Sequence, residues 1–340
     1  MTQPSNRLRA LVVGSGYRVR NAFLPALNLL DSHIEVVGIH SRTYDNARRA
    51  GERWGVQAIE DPRVLRPGDI DIALVSVTVT NNVAVLKSIA HLAPGAALVI
   101  DTPGVGRLDD LARLTQFRKW SQIRVGEDFM NMPQYRLVGD VIRSGALGDV
   151  SRISMSEMGY RYHALALLRS WLDLLPPSSA RSQRVPGGVN IDYRFRGGKT
   201  GEVREPYRQG EGSFTVTGSK GALTGHPMGY AIPDVQGAKL VRLQDDSGLA
   251  GFAIDGLATP MTIDLPHHAA INAMGLEDDS EFNVLRIDGL AQVISSLWEP
   301  DPVNTRYRLE DAVADNLVSW AARAVPWLPA SAIRLRGAGR

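Results

Sequence analysis

The chain has 340 residues, 44% of them hydrophobic and 22% charged, with a formal charge of +2. That length predicts two domains, each with its own core, and no run approaches the roughly 18 apolar residues needed to span a bilayer. Basic residues are spread evenly, which argues against a nucleic-acid partner, and the lack of any cysteine excludes disulfides, thiolate metal sites and a cysteine nucleophile. No apolar stretch precedes the first strand in MTQPSNRLRA, so a cytoplasmic, membrane-free protein is expected.

Residues 8–27, LRALVVGSGYRVRNAFLPAL, read as an apolar strand, a glycine turn and a helix. Gly14 permits the tight turn, and Gly16 lets backbone amides approach a pyrophosphate resting over Gly16 and Tyr17, with Arg18 beside it. A third small residue is expected in the dinucleotide fingerprint, and this chain has Val19 there. Glycine also punctuates ordinary strand-to-helix turns, so the pair alone leaves both readings open.

Further strands follow at 34–41, 71–78, 97–103 and 123–129, with helices expected over 44–54, 82–91 and 108–120. Strands alternating with helices at this spacing predict a doubly wound parallel sheet, a Rossmann domain over residues 1–130. Pro133 to Ser144 reads as a linking helix. A strand from Val150, a helix over 162–174 and β-like segments such as GVNIDYRF, GEGSFTVTG and AKLVRLQDD then predict an α+β domain over 131–340. Its sheet is expected to be large, open and mostly antiparallel, with helices returning over 281–296 and 309–324.

The second strand ends His40-Ser41-Arg42 with no acidic residue. An acid there would bind a ribose 2′-hydroxyl, whereas a hydroxyl and an arginine suit a 2′-phosphate, so NADP(H) is preferred over NAD(H). Ser41 would hydrogen-bond the phosphate and Arg42 would pair with it and stack on adenine; the alternative is a solvated loop cation.

Taken in order, VVGSGYRVRNAFLPAL, DIALVSVT with Asn81 and Asn82, VIDTP, GALGDV, GSFTVTGSKGALT and DGLAQVISSLWEPDPVNTRYRLEDAVAD resemble the Gfo/Idh/MocA oxidoreductases over nearly the full length. The resemblance implies a nicotinamide cofactor, a small-molecule substrate and a homodimer or homotetramer. It places the nicotinamide near Val77, Thr78 and Thr102, and implies cofactor contacts from Asn82, Asp101, Thr102 and Pro103. Members typically end the fourth strand in Glu-Lys-Pro, where this chain has Asp101-Thr102-Pro103, and carry histidine where it has Asn82. A threonine hydroxyl does not titrate near neutrality, so it cannot replace a lysine as acid or base without a partner.

The family's histidine at a helix entrance is matched by His163, with Tyr160 or Tyr162 in the place of its acid. The resemblance implies that His163 is the proton donor and that the tyrosines orient a carbonyl or imine; a histidine merely packed at a helix start is the alternative. The chemistry expected is hydride transfer to or from a small carbonyl, imine or sugar-derived substrate. Thr102, Asn82 and Val19 motivate a rival: a redox-silent lyase, isomerase or ligand-binding protein on the same scaffold.

Weaker candidates are Glu127, Asp128, Asn131 and Gln134, read as caps and junction contacts, and Arg161 and Arg169, read as a solvated helix face. The adjacent His267 and His268 make a poor metal pair, and no metal is expected. Asp301, Asn304 and Tyr307 read as architectural.

Overall fold

A computed structural model describes residues 7–106, 116–246, 248–324 and, as backbone, 327–328. The chain forms two compact units, divided after Asp128. Residues 270–313 belong to the first unit, and residues 129–269 with those from 314 onward to the second. The reason is packing. The helix Glu281–Ser295 buries Val284, Ile287, Leu290 and Ile294 in the same apolar cluster as Ala22, Phe23, Ala26 and Leu27 of the first helical segment.

The first unit is built on six parallel strands: β1 (Leu8–Val13), β2 (Ile34–His40), β3 (Ala58–Ile59), β4 (Ile72–Val75), β5 (Ala97–Asp101) and β6 (Ile123–Gly126). Their order is β3-β2-β1-β4-β5-β6. Buried runs such as ALVV in β1 and IALV in β4 reflect a sheet covered on both faces. The chain winds outward from β1 in one direction and then from β4 in the other. Carboxyl ends of strands at such a reversal leave a crevice, here between the turn after β1 and the turn after β4. Helices Tyr44–Glu52 and Asn82–Ser88 match expectation. The helix expected over 108–120 lies mostly outside the described residues, of which 116–119 form a short 3-10 turn.

The second unit carries ten strands: β7 (Val150–Ser156), β8 (Pro177–Val185), β9 (Gly188–Phe195), β10 (Thr200–Glu205), β11 (Ser213–Gly218), β12 (Gly221–Gly225), β13 (Ala238–Asp245), β14 (Gly248–Asp255), β15 (Met261–Asp264) and β16 (Trp327–Leu328). The order is β15-β14-β13-β12-β11-β7-β10-β9-β8-β16, antiparallel except at β7–β10 and β12–β13. Alternation sets the faces. Ile153, Met155, Ile191, Tyr193, Val203 and Phe214 are buried, while Arg152, Asp192, Arg194 and Glu202 stand on the other face, where Arg152 pairs with Glu202 at 2.6 Å.

The helix Arg161–Trp171 lies close on the buried face because Gly201 has no side chain. A Cβ there would stand 2.3 Å from Leu168 Cδ1. Among the described residues no helix is long and apolar enough to cross a membrane.

Candidate active site

The glycine turn of the first unit divides its work between two residues. Gly14 has φ +128°, and a Cβ on it would lie 2.0 Å from the Ser76 carbonyl oxygen, so the close approach of the turns after β1 and β4 requires glycine. Gly16 is different: a Cβ there would meet nothing within 4 Å, because the residue faces open space. Helical backbone starts at Tyr17 and is wound as a π-helix over Val19–Phe23 before continuing as α-helix through Leu24–Leu29. Val19, in the place of the third small residue, is fully buried and would sit 3.2 Å from a Cβ on Gly14.

The turn opens onto a cleft of about 660 Å³. Of the predicted cofactor residues, Gly14, Gly16, Tyr17, Arg18, Ser41, Arg42, Val77, Thr78 and Asp101 line it; Asn82, Thr102 and Pro103 do not. Ser15 and Ser41 hydroxyls bond at 2.9 Å, linking the turn to the end of β2. Arg42 is exposed there and makes no hydrogen bond or ion pair with the described residues, whereas nearby Arg48 pairs with Glu52 and Arg49 donates to Asn46. Within this local group Arg42 is thus the arginine without a partner among the described residues.

At the other end of the cleft, Asp101 is already engaged. Its carboxylate accepts from the Ser76 hydroxyl at 2.8 Å, from Arg18 Nε at 3.2 Å and from the Thr102 amide at 3.1 Å. Arg18 also donates to Asp128 at 2.6 Å, and the fully buried Asp128 carboxylate accepts from Arg286 at 2.8 Å. Burial opposes the Arg18 charge, but Asp101 and Asp128 outweigh it and raise its pKa further above the ordinary guanidinium value. Arg18 thus braces the floor of the cleft through two carboxylates.

Asn82 is 2% exposed and donates to the Gly104 carbonyl at 2.8 Å. It therefore points away from the cleft, into the loop that follows β5.

In the second unit, Tyr160, Tyr162 and His163 come together at the start of Arg161–Trp171. The His163 ring stacks on Phe129, with centroids 4.9 Å apart, and lies 4.2 Å from the Tyr162 ring. Tyr207 closes the group, 6.0 Å from Phe129 and 5.9 Å from Tyr160. Phe129 and Tyr207 were not singled out in the sequence, since isolated aromatics carry no spacing signal. Glu157 and Arg161 have φ values of +59° and +47°, a conformation that costs about 1–3 kcal/mol per non-glycine residue. Backbone strain on both sides of Tyr160 marks this entrance as over-determined by its surroundings.

Arg169 corrects the expectation of a solvated face. It is 3% exposed, pairs with Asp315 at 2.7 Å and donates to the Leu174 and Leu175 carbonyls. Glu127, Asp128, Asn131 and Gln134 are all buried; Gln134 donates to the Pro227 carbonyl at 3.0 Å, so it ties two segments of the second unit together. Asp301 caps the helix Pro302–Arg306 through the amides of Val303 and Asn304, as an architectural residue should.

No family model matches the chain. A dTDP-3,4-didehydro-2,6-dideoxy-α-D-glucose 3-reductase of Actinomadura kijaniata is 27% identical over 157 residues, 45% of this chain and 46% of the relative. The chain's match thus spans about half the length of that curated relative. Among solved structures, an oxidoreductase from Agrobacterium radiobacter in complex with NAD+, L-tartaric acid and magnesium superposes with a TM-score of 0.68 at 16% identity, covering 97% of this chain and all of the other. A 3-ketoreductase variant from Actinomadura kijaniata, in complex with TDP-benzene and NADP, gives 0.59 at 18% identity, covering 94% and 98%. The chain has the two-sheet fold of the Gfo/Idh/MocA-type oxidoreductases, the resemblance its motifs carry.

Proposed function

We propose that this chain is an oxidoreductase that binds NADP(H) in preference to NAD(H) in the cleft of its first unit and transfers hydride to or from a small carbonyl, imine or sugar-derived substrate. One observation carries the reading: the cleft joins a glycine whose missing side chain leaves open space to a serine and an unengaged arginine at the end of β2. The chemistry of those donors fits the two anionic parts of the cofactor. Amides opening a helix suit a pyrophosphate, and a hydroxyl with a guanidinium suits a 2′-phosphate. The cofactor would supply the hydride; the remaining work belongs to the chain.

Gly16 and Tyr17 would hold the pyrophosphate, Ser41 and Arg42 the ribose phosphate, and Val77 and Thr78 would line the nicotinamide end. Thr102 would stand where the family places its lysine. With Asp101 committed to Arg18 and Ser76 and no ionisable group on Thr102, no proton carrier is assigned to the end of β5. The proton is assigned to a His163 ring nitrogen, with the Tyr160 or Tyr162 hydroxyl orienting the substrate oxygen or nitrogen. Sugar nucleotides of the kind named for the curated relative belong in the substrate panel. A homodimer or homotetramer in the cytoplasm completes the proposal.

The same commitment of Asp101 favours a second reading, a lyase, isomerase or ligand-binding protein without net redox turnover. Incubation with NADPH and a panel of keto-sugars, sugar nucleotides and imines, followed by loss of cofactor absorbance, separates the two. Turnover is expected, and His163→Ala should abolish it while leaving NADPH affinity within about twofold of wild type. NADPH binding without consumption across the panel would support the second reading, and full activity in His163→Ala would remove the histidine from the chemistry.

A further inference from the structure

The segment that returns to the first unit brings an acidic loop, residues 275–280, against the helix that follows the glycine turn. The Tyr17 hydroxyl donates to Asp278 Oδ2 at 2.6 Å. Arg20 bonds both Glu277 and the Ser15 carbonyl, at 3.2 and 3.0 Å, and Asn21 reaches Glu277 at 3.4 Å. The loop itself is held from behind. Asn283 donates to the Asp278 carbonyl at 2.9 Å and to the Asn21 carbonyl at 3.0 Å, and Arg53 donates to the Met274 and Gly275 carbonyls.

Tyr17 is the wall of the cleft next to Gly16, yet half of its surface is exposed, so packing alone does not fix its rotamer. Two negative side chains beside an anion site oppose binding by charge alone. Their placement is explained if one of them acts through the tyrosine.

We infer that Asp278 is a positioning residue for cofactor binding: it fixes the Tyr17 ring as a rigid wall beside the pyrophosphate site, so that binding does not have to order it. The inference rests on the proposed dinucleotide function and adds to it a residue that lies far from the fingerprint in sequence. Burial, together with the bond to Asp278, pushes the Tyr17 phenol up to about 12, so the hydroxyl stays a donor throughout the neutral range. Burial works against the Asp278 charge, but hydrogen bonds from Ser280 and Tyr17 outweigh it and hold the carboxyl below the usual range. Donor and acceptor are therefore in complementary states wherever the protein would be assayed.

A double-mutant cycle separates positioning from charge. Dissociation constants for NADPH are measured by fluorescence titration for wild type, Tyr17→Phe, Asp278→Asn, the double variant and Asp279→Asn, in which a neighbouring exposed carboxylate is neutralised. Tyr17→Phe and Asp278→Asn should each weaken binding about fivefold, the double variant no more than either, and Asp279→Asn should not weaken it, as expected for one charge-assisted hydrogen bond at a part-exposed site. Unchanged or tighter binding in Asp278→Asn, or single effects that multiply in the double variant, would overturn the inference.

Fluorine NMR of 3-fluorotyrosine at position 17 reads the latch with no cofactor present, and Asp278→Asn should shift and narrow its resonance. A resonance indifferent to Asp278→Asn would overturn the latch even if NADPH binds. A responsive resonance in a protein that binds no dinucleotide would overturn the proposed function, and with it the latch's role in binding.

Discussion

Substituting alanine at Gly14 and at Gly16 should produce opposite phenotypes from two residues only two positions apart. At Gly14 the new Cβ would lie 2.0 Å from the Ser76 carbonyl oxygen and 3.0 Å from its carbon, in a backbone conformation of φ +128°. The conformational strain alone costs about 1–3 kcal/mol, and relief requires moving backbone rather than a side-chain tip. Ser76 cannot shift without disturbing its hydrogen bond to Asp101, so a total loss of at least about 3 kcal/mol is expected. At Gly16 the Cβ meets no protein atom within 4 Å and φ is not positive, so stability should hold or rise by about 0.4–1 kcal/mol. The methyl group would instead enter the space assigned to the pyrophosphate, and NADPH affinity should fall at least tenfold, about 1.4 kcal/mol. Urea denaturation and NADPH titration of both variants check the pair. A Gly16→Ala protein that binds NADPH as tightly as wild type would refute the placement of the pyrophosphate, and a stable Gly14→Ala protein would refute the close approach of the two turns.

Arg42→Ala should weaken NADPH about tenfold or more and NADH far less, because the 2′-phosphate partner is present only in NADPH; parallel titrations with the two cofactors decide it, and equal losses would contradict the assignment. In the second unit, Asp315→Asn removes the partner of an arginine that is 3% exposed and should cost about 3–5 kcal/mol in urea denaturation. Arg152→Gln, which breaks an exposed pair with Glu202, should cost under about 1 kcal/mol by the same measurement.

The parallel sheet was legible because strands buried on both faces leave continuous apolar runs that periodicity detects, and because a glycine turn after the first of them has a geometric meaning. The same signals located the cleft and its Ser41-Arg42 end. What the pattern could not convey was partnership across long separations. The largely apolar helix Glu281–Ser295 announces burial without saying which core receives it, and it packs on the first unit. Arg169 looked like a surface residue because its partner, Asp315, is 146 positions away. Arg18 lines the cleft, but its bonds to Asp101 and Asp128 were not legible, because both carboxylates are distant in sequence and come near it only in the folded unit. Asn82 sits at a helix start where a cleft contact was expected, yet its amide turns inward to the Gly104 carbonyl. In each case a polar side chain meets a group whose position depends on tertiary packing, which spacing along the chain does not encode.

The account turns on a dinucleotide lying across the glycine turn with its ribose phosphate at Arg42. Fluorescence titration with NADPH, competed by 2′,5′-ADP, tests this most directly. Saturable binding of one cofactor per chain, displaced by 2′,5′-ADP and far less by 5′-ADP, is the predicted result. Failure to bind NADPH, or displacement indifferent to the 2′-phosphate, would contradict it.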